Sequence, residues 1–116
     1  MNSVSLVGRL TKDPDMRGEG KYLCARFTLA VRRIYGEDTD FIRCAAFGKC
    51  AELIEQYVSK GNKLGLVGRI QTGSYVNRDG QKIYTTEVVA ETIDLLESRP
   101  KVITEYVERV PDEMPF

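Results

Sequence analysis

The sequence predicts an all-β protein: a small closed barrel of five strands with one short helix between the third and fourth, followed by a short acidic C-terminal tail. Three observations carry this. Five segments alternate apolar and polar residues with the period of two that a half-buried strand requires. One segment only, "CAELIEQYVSKG" at 50–61, sets its apolar residues Leu53, Ile54, Tyr57 and Val58 on a helical stripe. And a chain of 116 residues cannot hide many long strand edges, so closure is the arrangement that removes them.

The first strand, 3–10, places Val4, Leu6, Gly8 and Leu10 on one face. The second, 22–33, sets Ala25, Phe27, Leu29 and Val31 against Arg26, Thr28, Ala30 and Arg32. Between them "TKDPDMRGEGK" has the composition of a turn, in which Asp13 and Asp15 read as local backbone acceptors rather than an acid/base pair. A polar connection over 34–39 turns at Gly36. The third strand, "DFIRCAAFG" at 40–48, separates Ile42, Cys44 and Ala46, suited to a barrel interior, from Phe41, Arg43, Ala45 and Phe47. The helix follows, with Gly61 at the position of a C-cap. The fourth strand, 62–76, contains Gly65, Gly68 and Gly73, which mark bends or bulges. "NRDG" at 77–80 is a hairpin turn, and 81–96 returns as the fifth strand. The order β-β-β-α-β-β is that of an OB-fold barrel; a β-sandwich carrying one helix is the alternative. The chain divides into a barrel domain, 1–97, and a tail, 98–116.

Composition narrows the function. Seventeen Lys/Arg balance seventeen Asp/Glu, but unevenly. Residues 1–90 hold fourteen basic against ten acidic side chains, and 91–116 hold three against seven. A basic body with an acidic end points to nucleic acid bound by the body and a separate role for the tail. There is no histidine, no GxSxG and no P-loop, since "GEGK" at 18–21 lacks the spacing and the following Ser/Thr. An enzyme is therefore not expected, nor a metal or cofactor. The three cysteines form no C-x-x-C pair and suit reduced thiols. The start "MNSVSLVGRL" has no signal-peptide pattern and no apolar run reaches membrane-spanning length, so a cytoplasmic protein without membrane contact is expected.

The outward set of the third strand carries the binding argument. An unpaired arginine is costly to bury, so the face holding Arg43 should be open, and Phe41 and Phe47 on an open face need a reason. Single-stranded nucleic acid supplies one, because bases stack on the rings while cations between them meet phosphates. Tyr35 and Tyr75 are the other stacking candidates. Arg9, Arg32, Arg33, Arg43, Lys49, Lys63, Arg69, Arg78 and Lys82 are the phosphate candidates. Tyr22, Phe27, Tyr57 and Tyr84 fit core or interface positions better. The residues leave DNA against RNA open, and an adaptor barrel acting mainly through protein contacts is the rival reading.

The sequence resembles the bacterial and phage single-stranded DNA-binding proteins. The resemblance rests on "SLVGRLTKDPDMR" at 5–17, "ARFTLAV" at 25–31, "DFIRCAAFGKCAE" at 40–52, "KGNKLGLVGRIQT" at 60–72 and "DGQKIYTTEVVAE" at 79–91, which follow in family order. It implies an OB barrel assembled as a homotetramer, single-stranded DNA as ligand without sequence preference, and stacking aromatics at Tyr35, Phe41, Phe47 and Tyr75. Three of these places are often tryptophan in the family, and this chain has none, so less π surface meets each base. The family's acidic Pro-Phe tip, which docks replication, recombination and repair proteins, is matched by Asp112, Glu113, Met114, Pro115 and Phe116. Its long Gly/Pro/Gln-rich linker is not matched. Only 98–111 intervene, where Val102, Ile103, Tyr106, Val107 and Val110 lie at amphipathic helical spacing.

Overall fold

A computed structural model describes residues 1–97. The expectations for the amphipathic segment 101–110 and for the tip residues Asp112, Glu113, Met114, Pro115 and Phe116 lie outside the described residues. The elements are β1 (Val4–Leu10), β2 (Asp15–Arg17), β3 (Cys24–Arg32), β4 (Thr39–Phe47), α1 (Lys49–Tyr57), β5 (Lys63–Val76) and β6 (Lys82–Leu95). Strand order is β1-β5-β6-β4-β3-β2, and β1 also pairs with β3 at Arg9↔Ala30 and Leu10↔Leu29. That extra pairing closes β1, β5, β6, β4 and β3 into the predicted five-stranded barrel, with β2 as an added strip on β3. No helix among the described residues is long and apolar enough to cross a membrane.

β2 lies inside the segment read as a turn. Asp15, Met16 and Arg17 pair with Arg26, Ala25 and Cys24, because β1 leaves β3 after its C-terminal end and exposes the rest of that edge. Asp13 also departs from expectation. Its Oδ1 accepts the Lys60 N–H at 2.8 Å, a long-range tether rather than a local turn bond.

Two glycines make closure possible. The β5–β6 register shifts between Val67 and Gly68, where β6 carries one extra residue, Glu91, and a Cβ at Gly68 would run into the Val89 carbonyl. Where β1 swings from β5 toward β3, a Cβ at Gly8 would stand 2.6 Å from the Ala30 carbonyl oxygen. Both positions bring backbone against backbone at van der Waals limits or below, which only a residue without a side chain tolerates.

The core follows the alternation. Leu10, Ala25, Phe27, Leu29, Cys44, Ala46, Leu64 and Leu66 are buried, and α1 plugs one end of the barrel with Ala51 and Ile54. The helix is shorter than predicted. It ends at Tyr57, and Val58 is already extended and fully buried. Gly61 is not its C-cap; at φ 86° it turns the chain so that its N–H donates to the Leu10 carbonyl at 2.9 Å.

Candidate nucleic-acid interface

β3 and β4 pair antiparallel with Cys24↔Phe47, Arg26↔Ala45, Thr28↔Arg43 and Ala30↔Phe41 in register. Directly opposed residues share a face, so all eight stand on the outside of the barrel. Phe41 is 68% exposed and Phe47 46%. Arg43 between them is exposed and has no ion pair among the described residues.

The same face continues sideways. Ala45 pairs with Val89 of β6, and from there the β5–β6 ladder runs Arg69↔Val89, Gln71↔Glu87, Gly73↔Thr85 and Tyr75↔Ile83. Tyr75 is thus carried out along the hairpin on the face that holds Phe41 and Phe47, with its ring 56% exposed. The hairpin is tied at its tip by Asn77, whose Oδ1 accepts the Asp79 and Gln81 N–H groups at 2.9 Å each. Tyr35, 89% exposed, stands in the loop joining β3 and β4. That loop is pinned at its base by the Arg33 N–H, which donates to the Asp38 carbonyl at 3.1 Å.

One part of the predicted row is not open. Arg26 of β3 and Glu87 of β6 form an ion pair of 2.6 Å, and β4 lies between those two strands. The pair therefore crosses over β4. Ala45, opposed to Arg26 and Val89, has no exposed surface at all. The aromatic row consequently falls into two platforms, Phe47 on one side of the bridge and Arg43 with Phe41 on the other. Beside the bridge is an open cleft of about 410 Å³, lined among others by Thr28, Arg43, Thr85 and Thr86.

The predicted cations divide by their partners. Arg9 forms a bidentate pair with Glu97, both bonds 2.7 Å, and also donates to the Gly61 carbonyl at 3.0 Å. Arg33 holds Asp40 at 2.9 Å and Asp38 at 3.5 Å, and Arg69 meets Glu91 at 3.5 Å. Hydrogen bonds from these guanidiniums hold the Asp40 and Glu97 carboxyls below the usual carboxylate range. Arg32, Arg43, Lys49, Lys63, Arg78 and Lys82 carry no ion pair among the described residues and are exposed. Lys82 instead sits over the Tyr84 ring at 5.4 Å.

Sequence reasoning missed three features. Tyr22 and Tyr84, read as core or interface residues, are outside the core, being 75% exposed each, and Lys21 lies 5.2 Å over the Tyr22 ring. The available signal was position: Tyr22 follows the glycine-rich turn, and Tyr84 sits near the hairpin tip. Phe27 is buried as expected. The Arg26–Glu87 bridge had no signal in the chain, because the two residues are 61 positions apart.

Against known proteins, the model of the single-strand binding protein family matches residues 1–96. A single-stranded DNA-binding protein of Clostridium perfringens is 53% identical over 102 residues, covering 84% of this chain and 67% of the relative. One of Enterococcus faecalis is 51% identical over 106 residues, covering 85% of this chain and 56% of the relative, so the chain spans little more than half that protein. Single-stranded DNA-binding protein 1 of Streptococcus pyogenes serotype M18 is 41% identical over 121 residues, covering 99% of this chain and 92% of the relative.

Proposed function

Because the chain belongs to the single-strand binding protein family, we propose that it binds and protects single-stranded DNA, largely without sequence preference, during replication, recombination and repair in the bacterial cytoplasm. The observation that carries this is the pair of exposed rings, Phe41 and Phe47, flanking an unpaired Arg43 on one outer face. Stacking on such rings is indifferent to base identity, since every base has a π face. Tyr35 and Tyr75 extend the stacking track. Arg32, Arg43, Lys49, Lys63, Arg78 and Lys82 take phosphates directly. Arg9, Arg33 and Arg69 join only by exchanging their carboxylates for phosphate.

The barrel acts as part of a homotetramer. In support, β1 pairs along Val4–Arg9 with β5 but meets β3 only at Arg9 and Leu10, which leaves an apolar edge for a second copy. A monomer mass by light scattering would refute this. The acidic tip, Asp112 to Phe116, recruits replication, recombination and repair proteins, the Phe116 ring suiting an apolar pocket and the Asp112 and Glu113 carboxylates a basic rim. Deleting 112–116 should abolish their capture and leave DNA affinity equal or higher.

Competition of single-stranded DNA, RNA and duplex DNA for one labelled oligonucleotide tests the main reading. Single strands should win over duplex, in which the base faces are hidden. Equal competition by duplex would refute stacking as the basis of binding.

A further inference from the structure

The Arg26–Glu87 bridge is an unusual thing to find on a surface that attracts phosphates. A carboxylate there repels DNA unless it accepts hydrogen bonds from it. Among the described residues Glu87 is held by one ion pair, its Oε2 accepting from Arg26 Nη1 at 2.6 Å, and its side chain is only 19% exposed. A carboxylate offers about four acceptor sites and a guanidinium five N–H donors. Most of this capacity has no partner among the described residues. The bridge thus shows an acceptor and donors side by side, at the wall of the cleft of about 410 Å³.

The cleft is open along one side, so a group entering it stays partly in solvent. Thr28, Thr85 and Thr86 add hydroxyls to the lining, and Lys12 and Asp15 add a cation and a second carboxylate. Arg43 belongs both to the cleft and to the stacking row, so a strand lying on Phe41 passes the cleft mouth.

We infer that this cleft receives a single unstacked nucleobase and reads its Watson–Crick edge through the Arg26–Glu87 pair, favouring cytosine over uracil-type bases. The inference rests on the proposed binding of single strands. Cytosine presents an amino donor at N4 next to acceptors at N3 and O2. N4–H donates to the Glu87 carboxylate, and Arg26 donates to N3 or O2. Uracil and thymine place the O4 lone pairs where N4–H stood, against the carboxylate, and offer N3–H where Arg26 needs an acceptor. A site built to hydrogen-bond one edge rejects the analogue that leaves its partly buried groups unpaired. Carboxylate acceptance from cytosine N4 is a known base-reading contact. The bias acts at one base within a track that otherwise stacks any sequence.

Oligodeoxycytidylate and oligodeoxyuridylate of equal length are the test pair, because they lack the thymine methyl and differ at the edge in question. Affinity is measured for each by fluorescence anisotropy at neutral pH, with the full chain. The expected wild-type ratio is at least about fivefold in favour of cytosine, the lower end for a bidentate base contact. Glu87→Gln should bring the ratio close to one, and Arg26→Gln should lower it as well. Circular dichroism checks the fold of each variant; should one not fold, the other variant and the wild-type ratio decide. A wild-type ratio of one, with both oligonucleotides bound, overturns the base-reading cleft while single-strand binding stands. A ratio that survives both substitutions overturns it too. Failure to bind either oligonucleotide removes the proposed function and this inference together.

Discussion

Replacing Phe47 by alanine separates stacking from packing, because the residue is 46% exposed in the free protein. Burying a whole phenylalanine stabilises a fold by about 1.5–3 kcal/mol. With about half the ring covered, Phe47→Ala should cost roughly 1 kcal/mol of stability, and Phe41→Ala, at 68% exposed, somewhat less. The binding loss is a different quantity. A base stacked on an aromatic ring contributes about 1–3 kcal/mol, so the Kd of Phe47→Ala should rise roughly 5- to 150-fold. The salt dependence tells the two kinds of contact apart. Stacking releases no counterions, so the phenylalanine variants should shift log K downward in parallel at every salt concentration. Arg43→Ala should instead reduce the slope of log K against log salt by about 0.7, the value for one phosphate contact on a single strand. Anisotropy of a labelled oligothymidylate across a salt series gives all three lines, well below the melting temperature so that the small stability loss does not contribute. A Phe47→Ala protein that binds like wild type, or whose line changes slope rather than height, would refute stacking at that ring.

Gly68→Ala should destabilise the barrel by more than about 4 kcal/mol or prevent folding, since the new methyl collides with the Val89 carbonyl, and chemical denaturation measures this. Cys44, buried, has its thiol pushed up to about 12, first by burial and then by the Glu87 charge, so in the native protein it should resist alkylation at neutral pH while the half-buried Cys24 reacts; burial pushes the Cys50 thiol up too, so Cys50 should react slowly. Asp40 and Glu97 have folded-state pKa values below their unfolded ones, so their stabilising contribution is complete above about pH 4–4.5 and is lost as pH falls through the lowered values. Thermal melts from neutral into acid should show that loss, and it should shrink in Glu97→Gln.

Much of the barrel was legible because it depends on local pattern. The period-two alternation of β3 and β4 put Phe27, Leu29, Cys44 and Ala46 inside and Phe41, Arg43 and Phe47 outside, as observed. Gly68 announced the close backbone approach beside the register shift, because a glycine in a strand signals just that, although the extra residue, Glu91, lies on β6. What failed to show depends on which strands become neighbours. β2 forms only because β1 abandons part of the β3 edge, so its three residues look like a turn in isolation. Ala45 looked open because alternation assigns it outward, yet Arg26, Glu87 and Val89 reach it from strands on both sides. The helix end was misplaced for a related reason. Val58 continues the apolar stripe, but it is buried in extended backbone after the last helical turn.

The cation count read from the sequence overstates the charge ready for DNA. Arg9, Arg33 and Arg69 each face a carboxylate that DNA would have to displace, whereas Arg43 forms no ion pair among the described residues. Exposed pairs of this kind are individually weak, about 0–1 kcal/mol, so displacement is cheap in energy but not free of consequence. Each exchange swaps one ion pair for another and leaves a carboxylate to gather counterions, which offsets those released by the phosphate. Paired arginines should therefore add less to the salt slope than unpaired ones. The acids also keep the guanidiniums extended and in place before DNA arrives, most firmly at Arg9, which two oxygens of Glu97 and the Gly61 carbonyl hold at once. A groove arranged this way would, on the proposed reading, hold its strand with the stacking rings and with the cations that carry no ion pair among the described residues, Arg43 among them. Its paired arginines serve chiefly to fix the frame: Arg9 joins β1 to the end of β6, Arg33 closes the β3–β4 loop, and Arg69 braces the hairpin.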